Sequence, residues 1–488
     1  MKKTPKVIIV GAGLGGLECG YLLSQHGMDV CVLEQGAQVG GCLQSFRRHG
    51  LQFDTGFHYV GGMGEGEILH QLFSEFRLTG LPWVKLDTEC FDEVFLDGEH
   101  YAFANGYDRF ADELSKKFPQ QRPHIAEYVN MLRRSQSALL SQGGAADSTS
   151  ETLLATSAYQ YLQECIPDER LRKVLSATSL KMDLRTDTLP LYIFAQINGT
   201  FVQSAWRLRG GGQLIADTIA DGIRTHGGQV RTRTRVTGIH VNEGSIDHVI
   251  LNDNEMIPCD LVISDIHPNA LFPLLEEGSL RKRYVQRISS LENSFGVFTV
   301  QLLLKEGAVR YRNRNIFVHN HAKIWHSETW DARQNGTSIG VHFAVPTDGS
   351  EYTRNIDLFM PMSWQEVAPW AGTRPMQRGN DYDEFKQRNA EVAISAVLPY
   401  IPDIQGNIEK IIVSTPLTYR DYTHTFEGSA YGICKDYDHL ISTMLPIRTP
   451  IPNLFLTGQN VNFHGVLGVT VTAKMTCGQV ISALPMLS

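Results

Sequence analysis

The residues best placed to do chemistry stand near the N-terminus. An apolar run, Val7-Ile8-Ile9-Val10, leads into Gly11-Ala12-Gly13-Leu14-Gly15-Gly16 and then into an apolar stretch of helical character. The first glycine permits a tight turn, the second lets a pyrophosphate approach the backbone, and the third lets the helix pack close against the strand. The helix N-terminus adds unpaired N–H groups and the positive end of its dipole. A second apolar run, Val30-Cys31-Val32-Leu33, ends in Glu34, where a carboxylate can accept hydrogen bonds from ribose hydroxyls. Strand, turn, helix, strand and acid together predict an adenine dinucleotide site.

Other clusters carry less. Gly61-Gly62-Met63-Gly64-Glu65-Gly66 has no apolar strand leading into it and no distal acid, so it is expected to be a turn capping a helix from Glu67 onward and not a second nucleotide site. His319-Asn320-His321 has a spacing that puts two imidazoles on one strand face, but no third ligand is near and no metal is expected. No Ser/His/Asp triad and no pair of catalytic carboxylates stands out.

With 488 residues, the chain exceeds what one core usually supports, so two or three domains are expected. A net charge of −8 with mixed signs argues against a nucleic-acid partner and for a neutral or apolar small-molecule substrate. The eight cysteines are scattered without a CxxC pair, which fits reduced thiols in a reducing, cytoplasmic setting. Met1-Lys2-Lys3 before an apolar run imitates a secretory signal, but glycines and Glu18 interrupt that run. No uninterrupted apolar stretch long enough to cross a membrane is present. Arg281-Lys282-Arg283 with Arg287, and Arg310, Arg312 and Arg314, are expected to be solvated faces, with peripheral contact to lipid headgroups as the alternative.

The elements that must hold the glycine turn recur along the chain. The N-terminal unit runs to about residue 66. Helical spacing dominates from Tyr107 to about Ser141 (Ile125, Val129, Leu132, Gln136, Leu139), and a small-residue break, Gly143–Ser150, precedes more helices to about Asn198. Nucleotide-fold grammar resumes near residue 207: Gly210-Gly211-Gly212 opens a helix, strands follow at Val236–Val241 and His248–Leu251, and Asp260–Ser264 closes the block. Alternating patterns from Phe295 to about Ile412 predict an antiparallel sheet. Ile451–Gly458 is a last strand ending in glycine, followed by an apolar helix. The cofactor domain is therefore expected over 1–66, 205–294 and 413–488, a substrate domain over 67–106 and 295–412, and a helical insertion over 107–204, acting as a lid, a membrane-facing surface or a packed subdomain.

Gly11–Gly16, Glu34, the doublet Gly40-Gly41 with Ser45, the block ending in Asp260–Ser264, and Leu456-Thr457-Gly458-Gln459 together resemble the FAD-dependent phytoene desaturase-like superfamily. Gly50–Gly61 and Pro450–Gln459 are most similar to its retinol saturase and carotenoid isomerase subfamily, and the resemblance spans nearly the whole chain. It implies an α/β fold in which a discontinuous Rossmann-like FAD-binding domain carries an antiparallel-sheet substrate domain and a helical insertion. Carried over residue by residue, Gly11, Gly13 and Gly16 with Leu14 and Gly15 would take the pyrophosphate. Glu34 and Gln35 would take the ribose side, and Gly40, Gly41 and Ser45 the diphosphate side. Val236 would meet the adenine half, and Ser264, closing the middle block, would also bind the cofactor. Thr55, Gly56, Gly458 and Gln459 would hold the flavin half, with Val466, Leu467 and Gly468 approaching the isoalloxazine. Cys42 departs from the pattern, because a cation stands there in many such flavoproteins.

The resemblance further implies hydride transfer at a carbon–carbon bond of a conjugated apolar chain, with external NAD(P)H or a partner protein as reductant. Saturation needs a proton beside the hydride, and His58, Tyr59 and His464 are the expected donors. A desaturase or isomerase would use the same FAD in the other direction, and a flavin-stabilised lipid carrier would bind without turnover.

Overall fold

A computed structural model describes residues 4–141, 148–321, 323–327 and 336–487. Most of the break Gly143–Ser150 lies outside the described residues. At its centre is a five-stranded parallel sheet in the order Gln229–Arg231, Asp29–Leu33, Lys6–Val10, Leu261–Ser264, Leu454–Leu456. Its strands come from the chain's beginning, middle and end, so the chain leaves this domain and returns to it. Strands covered on both faces read as continuous apolar runs, and Val7, Ile8 and Ile9 are fully buried. Helix Leu14–Gln25 packs against helices Gln213–Thr225 and Gly465–Leu487. It is buried nearly all round, which explains why it shows little amphipathic pattern.

Helix Gly465–Leu487 is long and apolar enough over Gly465–Ala483 to cross a membrane. Half of that span is buried here, and Thr470 Oγ1 donates to Glu18 Oε1 at 2.7 Å, tying the helix to the glycine-turn helix. Its hydrophobicity belongs to the core beside strand Leu454–Leu456.

The second sheet has seven strands, ordered Ile408–Ser414, Gly296–Leu304, Asn355–Met362, Thr337–Phe343, Asn315–Asn320, Asp92–Leu96, Glu99–Phe103. The expected antiparallel sheet has one parallel pair, Asn315–Asn320 beside Asp92–Leu96. These two strands are separated in the chain by the helical insertion and a return through the parallel sheet, a crossover that permits parallel pairing.

The insertion packs as a subdomain on this sheet. Its helices Tyr107–Lys117, Arg122–Ser141, Ala158–Cys165, Glu169–Ser176 and Leu191–Gln203 share one core with Leu96, Phe317 and Phe359. The long helical run breaks at Pro119–Gln121. Helix Leu191–Gln203 presses on strand Val60–Gly61, where a Cβ on Gly61 would lie 2.3 Å from the Thr200 carbonyl carbon, so only glycine fits. That strand pairs with Ala205–Leu208, which also pairs with Trp83–Lys85.

Two clusters noted in the sequence resolve plainly. Arg314 is held by Asp87 and Glu93, Arg312 donates to the Tyr400 carbonyl, and Arg310 lies near Glu351, so this triplet is spent on the protein itself. His319 is buried between Ser338 Oγ and the Ala177 carbonyl, while His321 sits past the strand end, exposed, so the two imidazoles do not share a site.

Candidate active site

Gly11, with φ +100°, turns the chain out of the first strand, its N–H donating to the Leu33 carbonyl at 2.9 Å. The glycines after it make a backbone cradle. A Cβ on Gly13 would lie 2.5 Å from Asp265 Oδ2, and one on Gly15 2.7 Å from Oδ1. A Cβ on Gly16 would lie 2.2 Å from the Gly11 carbonyl oxygen, so Gly16 serves the close packing of helix against turn and does not line the groove. Glu34, at the end of the second strand, accepts from the N–H of Ala12 (3.0 Å) and of Gly36 (2.6 Å), which fixes its carboxylate over the turn.

A groove of about 380 Å³ runs along this cradle. Gly11, Gly13, Leu14, Gly15, Glu34 and Gln35 line one end. Gly40, Gly41, Gly56 and Val236 follow, with Gly458, Gln459 and Val466 at the other end. Cβ-free backbone, an acid at the second strand end and a glycine at the last strand end fit a flavin dinucleotide. Arg235 is the one guanidinium among the described lining residues; Cys42, whose thiol burial pushes up to about 11, supplies no charge.

Besides Gly16, two residues expected at the cofactor stand elsewhere. Ser45 Oγ donates to Asp54 Oδ1 at 2.7 Å, because its strand Ser45–Arg48 pairs with Leu51–Asp54 and aims it there. Ser264 is fully buried inside the parallel strand Leu261–Ser264, so it supports the groove without reaching it. The residue after it, Asp265, is the acid that points into the cradle. Burial pushes its carboxyl up to about 7, opposed by N–H groups of Gly16 and Gly13. Its position mirrors Glu34, an acid closing an apolar strand.

The groove opens into a second cavity of about 250 Å³, and Cys42, Gly56, Phe57, Tyr431 and Val466 border both. This chamber is apolar along Ile193, Ile197, Phe201, Val297 and Phe359. Thr55, Leu467 and Gly468 wall it, as do His58, Tyr59 and His464. The structure thus brings the three expected proton donors to one chamber, but in forms unsuited to that task. His58 stacks on His342 (ring centroids 4.4 Å apart), and burial with Arg207 nearby lowers it to about 4. His464 meets the Lys181 carbonyl at 3.2 Å and is lowered to about 4 by burial. Both imidazoles are neutral at neutral pH. Tyr59 donates its hydroxyl to Asp92 Oδ2 at 3.0 Å, and burial beside that carboxylate raises it well above the usual phenol range.

Lys181 went unrecognised in the sequence, where it is a lone cation between Leu180 and Met182. Its Nζ lies 3.8 Å from Asp92 Oδ2 and 4.0 Å from the centre of the Phe201 ring. Burial lowers its ammonium to about 8 against the pull of Asp92. Asp92, fully buried and raised by burial, also accepts from Asn315 Nδ2 at 2.6 Å, and Asn315 Oδ1 accepts in turn from Arg207. Among the described residues, Lys181 is the only lysine or arginine lining the chamber.

The profile of the family described as flavin containing amine oxidoreductase matches residues 14–481. All-trans-retinol 13,14-reductase from Homo sapiens is 25% identical over 527 residues, covering 97% of this chain and 85% of its own length. A 4,4'-diapophytoene desaturase (4,4'-diapolycopene-forming) from Methylomonas sp is 22% identical, covering 90% and 88%. The solved structure of wild-type putrescine oxidase bound to putrescine superposes with a TM-score of 0.67 at 16% identity, covering 98% and 99%.

Proposed function

The chain belongs to the flavin-containing amine oxidoreductase family, and from that premise we propose that it binds FAD and saturates a carbon–carbon double bond of a retinoid-like or other polyene lipid. The observation that carries this reading is the apolar chamber opening onto the dinucleotide groove across Cys42, Gly56 and Val466. The retinol reductase relative, matched along nearly the whole chain, supports the direction.

Gly11, Gly13 and Gly15 would offer backbone N–H groups to the pyrophosphate, Glu34 would take the ribose, and Gly458, Gln459 and Val466 would border the flavin half. When bound, the flavin supplies hydride-level redox chemistry. The chain's own part is positional: Ile193, Ile197, Phe201 and Phe359 exclude water and align an extended apolar chain, while His58 and His464, neutral at working pH, shape the wall without adding charge. The reductant is external, NAD(P)H or an electron-transfer partner, and the protein works in the cytoplasm with peripheral access to a membrane from which an apolar substrate is drawn.

A second reading reverses the electron flow, and the Methylomonas relative favours it. Anaerobic reduction of the yellow protein followed by candidate polyenes separates the two. Flavin reoxidation with loss of conjugated absorbance supports saturation. Gain of conjugation from the oxidised protein makes it a desaturase, and indifference to every polyene overturns both.

A further inference from the structure

The chamber holds one feature that an apolar chain does not require, a buried ammonium. Lys181 Nζ has two polar neighbours among the described residues, Asp92 Oδ2 at 3.8 Å and Thr178 Oγ1 at 3.4 Å. Aromatic rings surround the rest of the ammonium, with ring centres of Phe201 at 4.0 Å and Tyr59 at 5.3 Å from Nζ. An ammonium has three donors and no acceptor. Burying it in an apolar wall costs several kcal/mol unless it is paired, and Asp92 offsets that cost. A chamber meant for a hydrocarbon alone would be at least as stable with apolar residues in place of both Lys181 and Asp92.

On the proposed saturation of a double bond, we propose that the substrate ends in a carbonyl conjugated with that bond, and that Lys181 receives the carbonyl oxygen. The chemistry decides among oxygenated ends. Hydride delivered to the carbon β to the carbonyl forms a C–H bond and drives the alkene electron pair through the conjugated system onto oxygen. The developing enolate lies at the Lys181 ammonium, a donor fixed in a low-dielectric wall and strongest where charge appears. A proton, from Lys181 or from water, then closes the α carbon, so the alkene gains one hydride and one proton. The two electrons come from the reduced flavin, restored by the external two-electron reductant. A hydrocarbon places the charge on carbon, out of reach of the ammonium, and an alcohol gains nothing in the transition state that it lacks in the ground state. A carboxylate would set a second anion against Asp92 on a single cation. A neutral polyenal or polyenone fits all three constraints.

Two measurements test this on the intact flavoprotein. With a matched series of one chain length (hydrocarbon, alcohol, aldehyde, acid), the aldehyde reoxidises the reduced protein at least tenfold faster than the others, and Lys181→Met removes about a hundredfold of that rate while Lys181→Arg keeps part of it. In the oxidised protein, which has no electrons for saturation, the aldehyde's absorption band shifts to the red on binding, and the shift vanishes in Lys181→Met while the hydrocarbon still binds, which shows that the chamber is intact. Alcohol or hydrocarbon reacting as fast as aldehyde, or an unchanged band shift in Lys181→Met, overturns the assignment. If no polyene reoxidises wild type, the proposed saturation fails, and the band shift still decides whether Lys181 meets a carbonyl.

Discussion

The groove and the chamber share a wall, yet they are built in opposite ways. The groove is made of backbone: Gly11 to Gly16 turn, Gly40-Gly41 and Gly458 bring main chain close, and the side chains that matter are two acids at strand ends, Glu34 and Asp265. The chamber is made of side chains from elements far apart in sequence: Tyr59 from the first unit, Asp92 and His342 from the seven-stranded sheet, Lys181 and Phe201 from the helical insertion, His464 from the approach to the last helix. A backbone cradle tolerates no added atoms. A side-chain chamber tolerates exchange and changes its chemistry instead. Substitutions in the two regions should therefore separate flavin retention from reactivity.

The largest effect is expected at Gly16→Val. Its Cβ would meet the Gly11 carbonyl oxygen at 2.2 Å, main chain that has nowhere to move, so the turn opens or the helix shifts. Overpacking of this kind costs about 3 kcal/mol, roughly a hundredfold in an equilibrium. The purified variant should lose most of its flavin absorbance relative to protein and unfold at lower temperature. A fully yellow variant of normal stability would mean that the groove is not the rigid cradle described. Lys181→Met comes next and is the mirror image: flavin retained, carbonyl reduction down by about a hundredfold. The same residue sets a pH limit. Its ammonium titrates at about 8, so wild-type reduction falls as pH rises through that value. The charged partner beside it is Asp92, with Tyr59 raised out of the range; His342, held well below its usual value by burial, and His58 and His464, at about 4, stay neutral throughout. Lys181→Met should flatten this limb.

This division also explains what was legible in the sequence. The glycine turn, Glu34 and the strands at Val7–Val10, Val30–Leu33, Asp260–Ser264 and Leu454–Leu456 are each written in a few neighbouring residues, and all form the parallel sheet. The fifth strand, Gln229–Arg231, escaped because three residues after a glycine pair carry too little pattern. Ser45 was placed on the diphosphate by analogy, but its strand pairing aims it at Asp54. The Lys181–Asp92–Tyr59 cluster spans more than a hundred residues and exists only once the insertion folds onto the sheet. No local pattern announces it, and the one trace is a charge in an otherwise apolar stretch. The parallel pairing of Asn315–Asn320 with Asp92–Leu96 is hidden for the same reason, since it depends on a crossover and not on either strand's residues.

A smaller effect sharpens the groove's side of the comparison. Asp265 is buried against the cradle's N–H groups, and its carboxyl titrates at about 7 when folded, above the value near 4 of an unfolded aspartate. A raised acid makes the native state bind its proton more tightly, so stability rises as pH falls from about 7 towards 4 and the penalty of ionisation is complete above 7. Asp265→Asn removes that penalty. The flavin-free variant should be more stable than wild type by about 2 kcal/mol at pH 8, after allowing about 2 kcal/mol for a weakened hydrogen bond to the turn, and the difference should change sign as pH falls, leaving the variant the less stable of the two near pH 4. Thermal unfolding of both proteins across this range checks it. A variant less stable at every pH would mean that Asp265 is held as a needed acceptor for the turn and not as a strained charge.

The smallest effect probes the coupling inside the chamber. Tyr59→Phe deletes the hydroxyl that donates to Asp92 Oδ2 at 3.0 Å and leaves the carboxylate with Asn315 and Lys181. One hydrogen bond of this kind is worth about 1 kcal/mol net, so stability falls slightly and flavin content stays at the wild-type level. Without that donor the Asp92 anion is less favoured, and a weaker anion supports the neighbouring ammonium less. The Lys181 limb of the pH profile should therefore move to lower pH, by less than about one unit. An upward move would show that the tyrosine competes with Lys181 for Asp92. A loss of flavin from this variant would break the separation itself, since a change confined to the chamber's polar corner would then have reached the backbone cradle.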